Sequence, residues 1–544
     1  MQDELGVSIS MSDGVEVSVR IYRPDGDGPF PTLFAASPYR YDNDDVPPTM
    51  VFFWHEVGPI HWYVERGYAY VHLDVRGSGR SGGEYGFFNK RERRDLYEVI
   101  EWIATQPWSN GMIGGIGQSY YSASQWCMAA ERPPHLTCIA PYDGHMDFYR
   151  GWFYPGGIQG NFASVWWNGS VRLANAHPAN GAAPRDVAYD LPHDLTQHPL
   201  RDAFWDERSL DAQLAEVDIP VYSVGVWVKR DLHLGGNIRG YQLVKGPKKL
   251  RFSGVPTLPQ ALQEFASIDF HERVMAPFYD HWLKGEATDY VDRPTVEFPV
   301  TGTDRTLTSD HWPPTGTEAA TLFLNSTPSG SVASLNDGSL GLRPGADDDV
   351  TTWAYPDPGW AVGNVGFGPR GPDPVRHNVT YCSAPLDADL VVAGAPVVHL
   401  HVSSTRTDAN VIVKLSVQHP QTESERSAGA QPTSSVVAKG WLRASQRALD
   451  PEGSLNGEPY HLHREREPLV PGEIYELAIE LTALAFRFPA GSRVRLELSC
   501  ADSTITDLQF GHIYTPDMVG RDSYHHDAAR PSRLVLPVLE GSLA

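Results

Sequence analysis

Four cysteines in 544 residues are too few for a disulfide framework. Cys127, Cys138, Cys382 and Cys500 form no C-x-x-C pair, so they indicate no zinc site either. No run of about 18 apolar residues occurs, which leaves no candidate membrane-spanning helix. Basic residues are outnumbered: 44 Lys and Arg stand against 67 Asp and Glu, a formal net charge of -23. Phosphate backbones and anionic headgroups repel such a chain, so neither nucleic acid nor a membrane is expected as a partner. The first residues, Met1-Gln2-Asp3-Glu4-Leu5, lack a basic segment followed by an apolar one, and a cytoplasmic location is the expectation.

What the chain does contain is ordinary for a globular protein, with 41% hydrophobic and 20% charged residues. Its 50 glycines and 44 prolines favour turns and β structure over long helices. The length exceeds what one core fills, so two or three domains are expected.

Residues 1–145 alternate strand and helix patterns. Short apolar strands read at Thr32 to Ala36, Tyr68 to Leu73, Ile113 to Ile116 and Thr137 to Ala140. Helical spacing runs from Arg91 to Thr105 through Leu96, Val99, Ile100 and Ile103. The alternation predicts a mostly parallel sheet covered on both faces, with its ligand site at the carboxyl ends of the strands. Residues 146–215 lose the strand pattern and are rich in aromatics, and they read as a helical cap insertion. Trp152, Phe153, Trp166 and Trp167 in this segment are candidates for an apolar substrate pocket; equally, they suit the packed core of a cap. The sheet pattern resumes at Ile219 and continues to about 290. Residues 291–544 then carry strand after strand with turn signals between them, the pattern of a β-sandwich or jelly roll.

The run Pro107-Trp108-Ser109-Asn110-Gly111-Met112-Ile113-Gly114-Gly115-Ile116-Gly117-Gln118-Ser119-Tyr120 reads as a turn, a buried strand and a sharp corner at Ser119 before a helix. An α/β-hydrolase presents its nucleophile on such a corner. The turn lifts Oγ above the sheet edge, and the Tyr120 N–H is left at a helix N-terminus to stabilise an oxyanion. Tyr121 stands where G-x-S-x-G has its last glycine.

Several segments in the same order give the chain a family resemblance. They are Ser37-Pro38-Tyr39, the run from Asp74 to Gly83, Pro107 to Tyr120, and Phe278-Tyr279-Asp280-His281-Trp282-Leu283-Lys284-Gly285. In the last domain they are Ala438 to Ser445, Leu469 to Glu473 and Arg530 to Pro537. With these the chain resembles the CocE/NonD serine hydrolases, a group that includes cocaine esterase-like, α-amino acid ester hydrolase and X-Pro dipeptidyl peptidase-like enzymes. The resemblance implies an α/β-hydrolase domain (1–145 and 216–290), a helical cap and a C-terminal jelly roll. It also implies hydrolysis of a small-molecule ester, or less favourably an amide, through an acyl-enzyme on Ser119. Tyr39 and the Tyr120 N–H fall on the family's oxyanion donors.

The pattern breaks at the other two members of the triad. The family's acid follows a tryptophan by two residues, where this chain has Lys229 after Trp227; Asp231 is the nearest candidate. The family's histidine position is occupied by Leu258, which cannot accept a proton. His271 is the preferred base, because it follows the acid in chain order, and His233 is the alternative. An acyltransferase would use the same machinery. A degenerate homologue that only binds a small molecule is the reading that Leu258 and Lys229 favour. Asp74 and Arg76 read as a charge pair that shapes the loop. No cofactor or metal is implied: His399 and His401 share a strand face, but no third ligand accompanies them. The sequence leaves a homo-oligomer open.

Overall fold

Parallel strands covered on both faces must be apolar on both, and the first half of this chain has such strands. Leu33, Phe34, Val71, Ile113 and Ile116 are fully buried. In the computed structural model, which describes residues 1–42, 56–177, 185–355, 357, 367–368, 371–372, 378–502, 511–512 and 515–543, they lie in or directly after strands of one sheet.

That sheet contains β1 (Gln2–Ser10), β2 (Glu16–Arg23), β3 (Phe30–Ser37), β4 (Ala69–Asp74), β5 (Ser109–Gly115), β6 (Leu136–Ile139), β7 (Val221–Val226), β8 (Lys248–Ser253) and β9 (Val296–Pro299). Their order across it is β1-β2-β4-β3-β5-β6-β7-β8-β9. β1 and β2 pair antiparallel, as do β2 and β4. From β4 to β9 every pairing is parallel. The carboxyl ends of β3 and of β5 to β8 therefore open on one edge, and the loops that follow them carry Tyr39, Ser119, Asp143, Lys229 and Leu258.

Helix Lys90–Ala104 buries the expected stripe of Leu96, Val99, Ile100 and Ile103, and Asn89 caps it by accepting the Glu92 N–H at 2.9 Å. A helix absent from the sequence reading, Leu258–Ala266, starts directly after β8. Thr257 caps it, so the segment in which the family carries its histidine is here a helix N-terminus with Leu258 as its first residue.

The chain divides into two compact units. The first is Met1–Trp152, Ala163–His198 and Ala203–Phe298; the second is Phe153–Phe162, Pro199–Asp202 and Pro299–Ala544. The second unit is almost entirely β. Its strand Asn410–Gln418 is buried along its length and pairs antiparallel with Ser434–Arg443 and with Arg493–Ser499. Strand Val397–Ser404 alternates, burying Val398, Leu400 and Val402. On its other face His399 Nδ1 lies 3.3 Å from Glu476. Among the described residues, no group of three metal-ligating side chains comes together.

The four cysteines are free and buried. Burial pushes each thiol up from its ordinary value. Among the described residues, no helix is long and apolar enough to cross a membrane.

Candidate active site

The corner after β5 is strained. Ser119 has φ 60° and ψ -115°, outside the regions that ordinary residues occupy. Three backbone hydrogen bonds hold it there. The Ser119 N–H donates to the Asp143 carbonyl at 3.0 Å, the Gln118 N–H to the Glu56 carbonyl at 2.9 Å, and the Ala123 N–H to the Ser119 carbonyl at 2.9 Å. Gly117 makes the corner passable: its φ is +127°, and a Cβ there would lie 2.3 Å from Tyr121 Cβ. Tyr121 takes up the space, and its hydroxyl meets His72 Nε2 at 2.9 Å. Tyr120 is the first residue of helix Tyr120–Glu131, so its N–H lacks an acceptor within the helix.

Tyr39, just beyond β3, is buried with its ring edge-on to Tyr120 and Tyr121. Its hydroxyl accepts the Trp166 indole N–H at 2.7 Å. Accepting there leaves the phenol's single proton to be donated elsewhere. Burial, then the nearby Glu56 carboxylate, keep that proton on, while hydrogen bonds with Trp166 and with the Ser119 side chain oppose them. Trp152 and Trp166 pack edge to face near Ser119, with ring centroids 6.0 Å apart. Trp167 is fully buried, with its ring against those of Tyr85 and Tyr189. Phe153 belongs to the second unit, where it stacks on Phe162.

His233, the alternative base, is the histidine at Ser119. Its Nε2 lies 3.3 Å from Ser119 Oγ, and the ring is 1% exposed. The other nitrogen does not meet a carboxylate: Nδ1 accepts the Trp152 indole N–H at 3.2 Å. An indole nitrogen only donates, so this bond makes Nδ1 the bare nitrogen and puts the ring's proton on Nε2. Burial holds His233 well below the usual histidine range, and Lys229 and His145 add to the effect.

His271, the preferred base on the sequence, lies elsewhere. It is fully buried at the start of the π-helical segment His271–Met275, directly after helix Ile268–Phe270. Its Nδ1 meets the Tyr63 hydroxyl at 2.8 Å and its Nε2 the Phe265 carbonyl at 2.6 Å. Both nitrogens are thereby engaged with core groups, and burial lowers it to about 3. Asp231 is half-buried, and its charge acts on Arg230; among the described residues, no carboxylate hydrogen-bonds the His233 ring. The expected Asp74–Arg76 pair is also replaced. Asp74 accepts the Tyr41 and Arg80 N–H groups at 2.7 and 2.8 Å, while Arg76 pairs with Asp95 at 2.7 Å.

An ion pair and a carboxyl at the site are not anticipated by the sequence, which marks Lys229 only as standing in the place of the family's acid. Lys229 Nζ lies 2.5 Å from Asp143 Oδ2, both buried, and Gln118 donates to the same oxygen at 3.1 Å. Glu56, 3% exposed, stands beside Ser119. Its Oε2 has no hydrogen-bond partner among the described residues. Burial pushes this carboxyl up to about 8; Lys229 opposes the rise, Asp143 adds to it, and a hydrogen bond with Ser119 opposes it. Nothing in the pattern around Trp54-His55-Glu56-Val57 marks Glu56, because only the sheet topology brings it to the loop after β5.

Comparisons with known proteins agree with this architecture. The model of the X-Pro dipeptidyl-peptidase S15 family matches residues 13–254, and that of the X-Pro dipeptidyl-peptidase C-terminal non-catalytic domain matches 289–535. Cocaine esterase of Rhodococcus sp. (strain MB1 Bresler) is 25% identical, with 98% of each chain covered. A CocE/NonD family hydrolase from Staphylococcus aureus superimposes with a TM-score of 0.81 at 24% identity, over 98% of this chain and 93% of that one. An α-amino acid ester hydrolase does so with a TM-score of 0.72 at 19% identity, over 99% and 96%. With two adjoining models matched in order and a full-length relative, the chain belongs to the CocE/NonD family of serine hydrolases.

Proposed function

We propose that this hydrolase cleaves carboxylic esters of small molecules through an acyl-enzyme on Ser119. The strained corner supports the reading most directly: φ 60° aims Oγ out of the chain's path at a helix N-terminus, with His233 Nε2 at 3.3 Å. Such strain is stored where chemistry uses it. The Ser119 oxygen attacks the ester carbonyl, and the developing oxyanion takes hydrogen bonds from the Tyr39 hydroxyl and the Tyr120 N–H. Trp152 and Trp166 give the acyl group an apolar wall.

The preference for esters over amides follows from the histidine. An amide's leaving nitrogen must be protonated as it departs, whereas an alkoxide leaves with less help. Burial disfavours an imidazolium at His233, and among the described residues no carboxylate hydrogen-bonds the ring to offset this, so proton delivery to a leaving amine is poorly supported.

The test is covalent labelling. A fluorophosphonate probe should add its mass to the wild-type protein and not to Ser119→Ala. Aryl acetates should then turn over faster than the matching anilides. Absence of label on folded wild-type protein between pH 5 and pH 10 would leave the second reading, a hydrolase homologue that only binds its ligand. The absence, among the described residues, of a carboxylate on the His233 ring and Leu258 at the histidine position favour that alternative.

A further inference from the structure

Four residues at the site close on one another. Ser119 Oγ lies 3.3 Å from His233 Nε2. The His233 N–H donates to the Lys229 carbonyl at 3.0 Å. The Lys229 ammonium lies 2.5 Å from Asp143 Oδ2. The Asp143 carbonyl accepts the Ser119 N–H at 3.0 Å, which completes the circuit. Gln118, next to Ser119 in the chain, adds a second tie by donating its side-chain amide to the same Oδ2 at 3.1 Å. Asp143 Oδ1 has no hydrogen-bond partner among the described residues, so the carboxylate holds both groups with one oxygen.

Two links of this circuit are main-chain bonds that any side chain would allow. The Lys229–Asp143 contact is the one that side-chain chemistry supplies between the loops after β6 and β7. Asp143, like Ser119, sits at positive φ, 54° against 60°, where a residue stays only if its surroundings hold it. Its N–H donates to the Val224 carbonyl of β7 at 2.8 Å. A buried ion pair stabilises a fold no better than apolar residues of the same size, yet it fixes a separation. Lys229 stands in the place of the family's acid, the group that orients the histidine through its ring. Here Trp152 holds the ring at Nδ1, and the residue in the acid's place holds the histidine by its main chain.

We propose that Lys229 and Asp143 are positioning residues that set the approach of Ser119 Oγ to His233 Nε2. The kinetic consequence rests on Ser119 being the nucleophile. The pair acts through the main chain of Ser119 on one side and of His233 on the other. Without it the two loops shift, and a displacement of about 1 Å between reacting groups costs about 10²-fold in rate.

The test compares the full-length wild type with Lys229→Met and with Lys229→Met and Asp143→Leu combined. The single change strands the Asp143 charge. The double change replaces the pair by apolar side chains and should recover the wild-type urea midpoint. Fluorophosphonate labelling should be slower by about 10²-fold in both, and on an aryl acetate kcat should fall with KM little changed. A double variant that regains the wild-type labelling rate along with wild-type stability would show that the pair only packs, and would overturn the proposal. Should the double variant lack a cooperative melt, Lys229→Gln, whose donor arm is shorter and uncharged, takes its place with the same two outcomes.

A second readout needs no catalysis. Selective ¹⁵N labelling of histidine reports on His233 Nε2. Ser119→Ala removes the contact at 3.3 Å; it should move the His233 signal in the wild-type background and leave it in place in the double-variant background. Equal shifts in both backgrounds would overturn the proposal. Folded wild-type protein that takes no label would remove Ser119 as nucleophile, and this second readout would then decide the positioning role by itself.

Discussion

Lys229 holds its ammonium 2.5 Å from Asp143 Oδ2 with both side chains buried. The two come from the loops after β7 and β6, so the pair ties neighbouring strand ends together behind Ser119. Breaking a buried pair leaves an uncompensated charge, which costs about 3–5 kcal/mol. Lys229→Met should lower stability by that order in urea titrations. Unchanged stability would show that the pair does not hold the two strand ends together.

Tyr39→Phe removes a hydroxyl and little volume. If that hydroxyl meets the oxyanion, kcat should fall by about 10²–10³-fold with KM little changed, since the bond strengthens only in the transition state. A loss in KM alone would place Tyr39 in ground-state binding.

The Trp152 indole sets which nitrogen of His233 is bare. Selective ¹⁵N labelling of histidine should show His233 as the Nε2–H form in wild type, with no titration between pH 5 and pH 9. In Trp152→Phe the bond at Nδ1 is gone, and the signal should become a mixture of tautomers. An Nδ1–H form in wild type would contradict the geometry.

The Glu56 carboxyl also makes stability depend on pH. Its folded value, about 8, lies above its ordinary 4.5. The folded state therefore keeps a proton that the unfolded state releases, and this group's contribution to stability is fully present below about 4.5 and is lost as pH rises toward 8. Glu56→Gln has no such proton to lose. Its unfolding free energy should gain on wild type across that window and hold a constant lead above it, on the order of a few kcal/mol. Parallel pH curves for the two proteins would show that the carboxyl is not so perturbed.

Much of this was readable from the residues. The strands β3, β4, β5 and β6 announce themselves as short apolar runs, because a buried parallel strand has no polar face to write. Gly117 before Ser119 marks the corner, since only that spacing lets Tyr121 pack beneath it. The proton chemistry was less legible. His271 satisfies chain order and still points into the core, because a histidine at a helix start can be placed for Tyr63 as easily as for a nucleophile. His233 was visible only as an alternative. Glu56 and the Asp143–Lys229 pair carry no local pattern: Lys229 and Asp143, 86 positions apart, meet only through the strand order β5-β6-β7. The second unit was read as β from its turn spacing, while its pairing, such as Asn410–Gln418 with Arg493–Ser499, lies in long-range contacts that periodicity does not encode.

The silent thiols make this protein a stopwatch for its own opening. Cys127 and Cys138 lie in the first unit, and Cys382 and Cys500 in the second. Each unit therefore contains two reporters that alkylating reagents reach only when it loosens. Pulse alkylation followed by peptide mapping would time the two units separately in one sample, with no mutation. The same quiet background makes a cysteine placed at exposed Ala287 a single address for a dye or a surface tether.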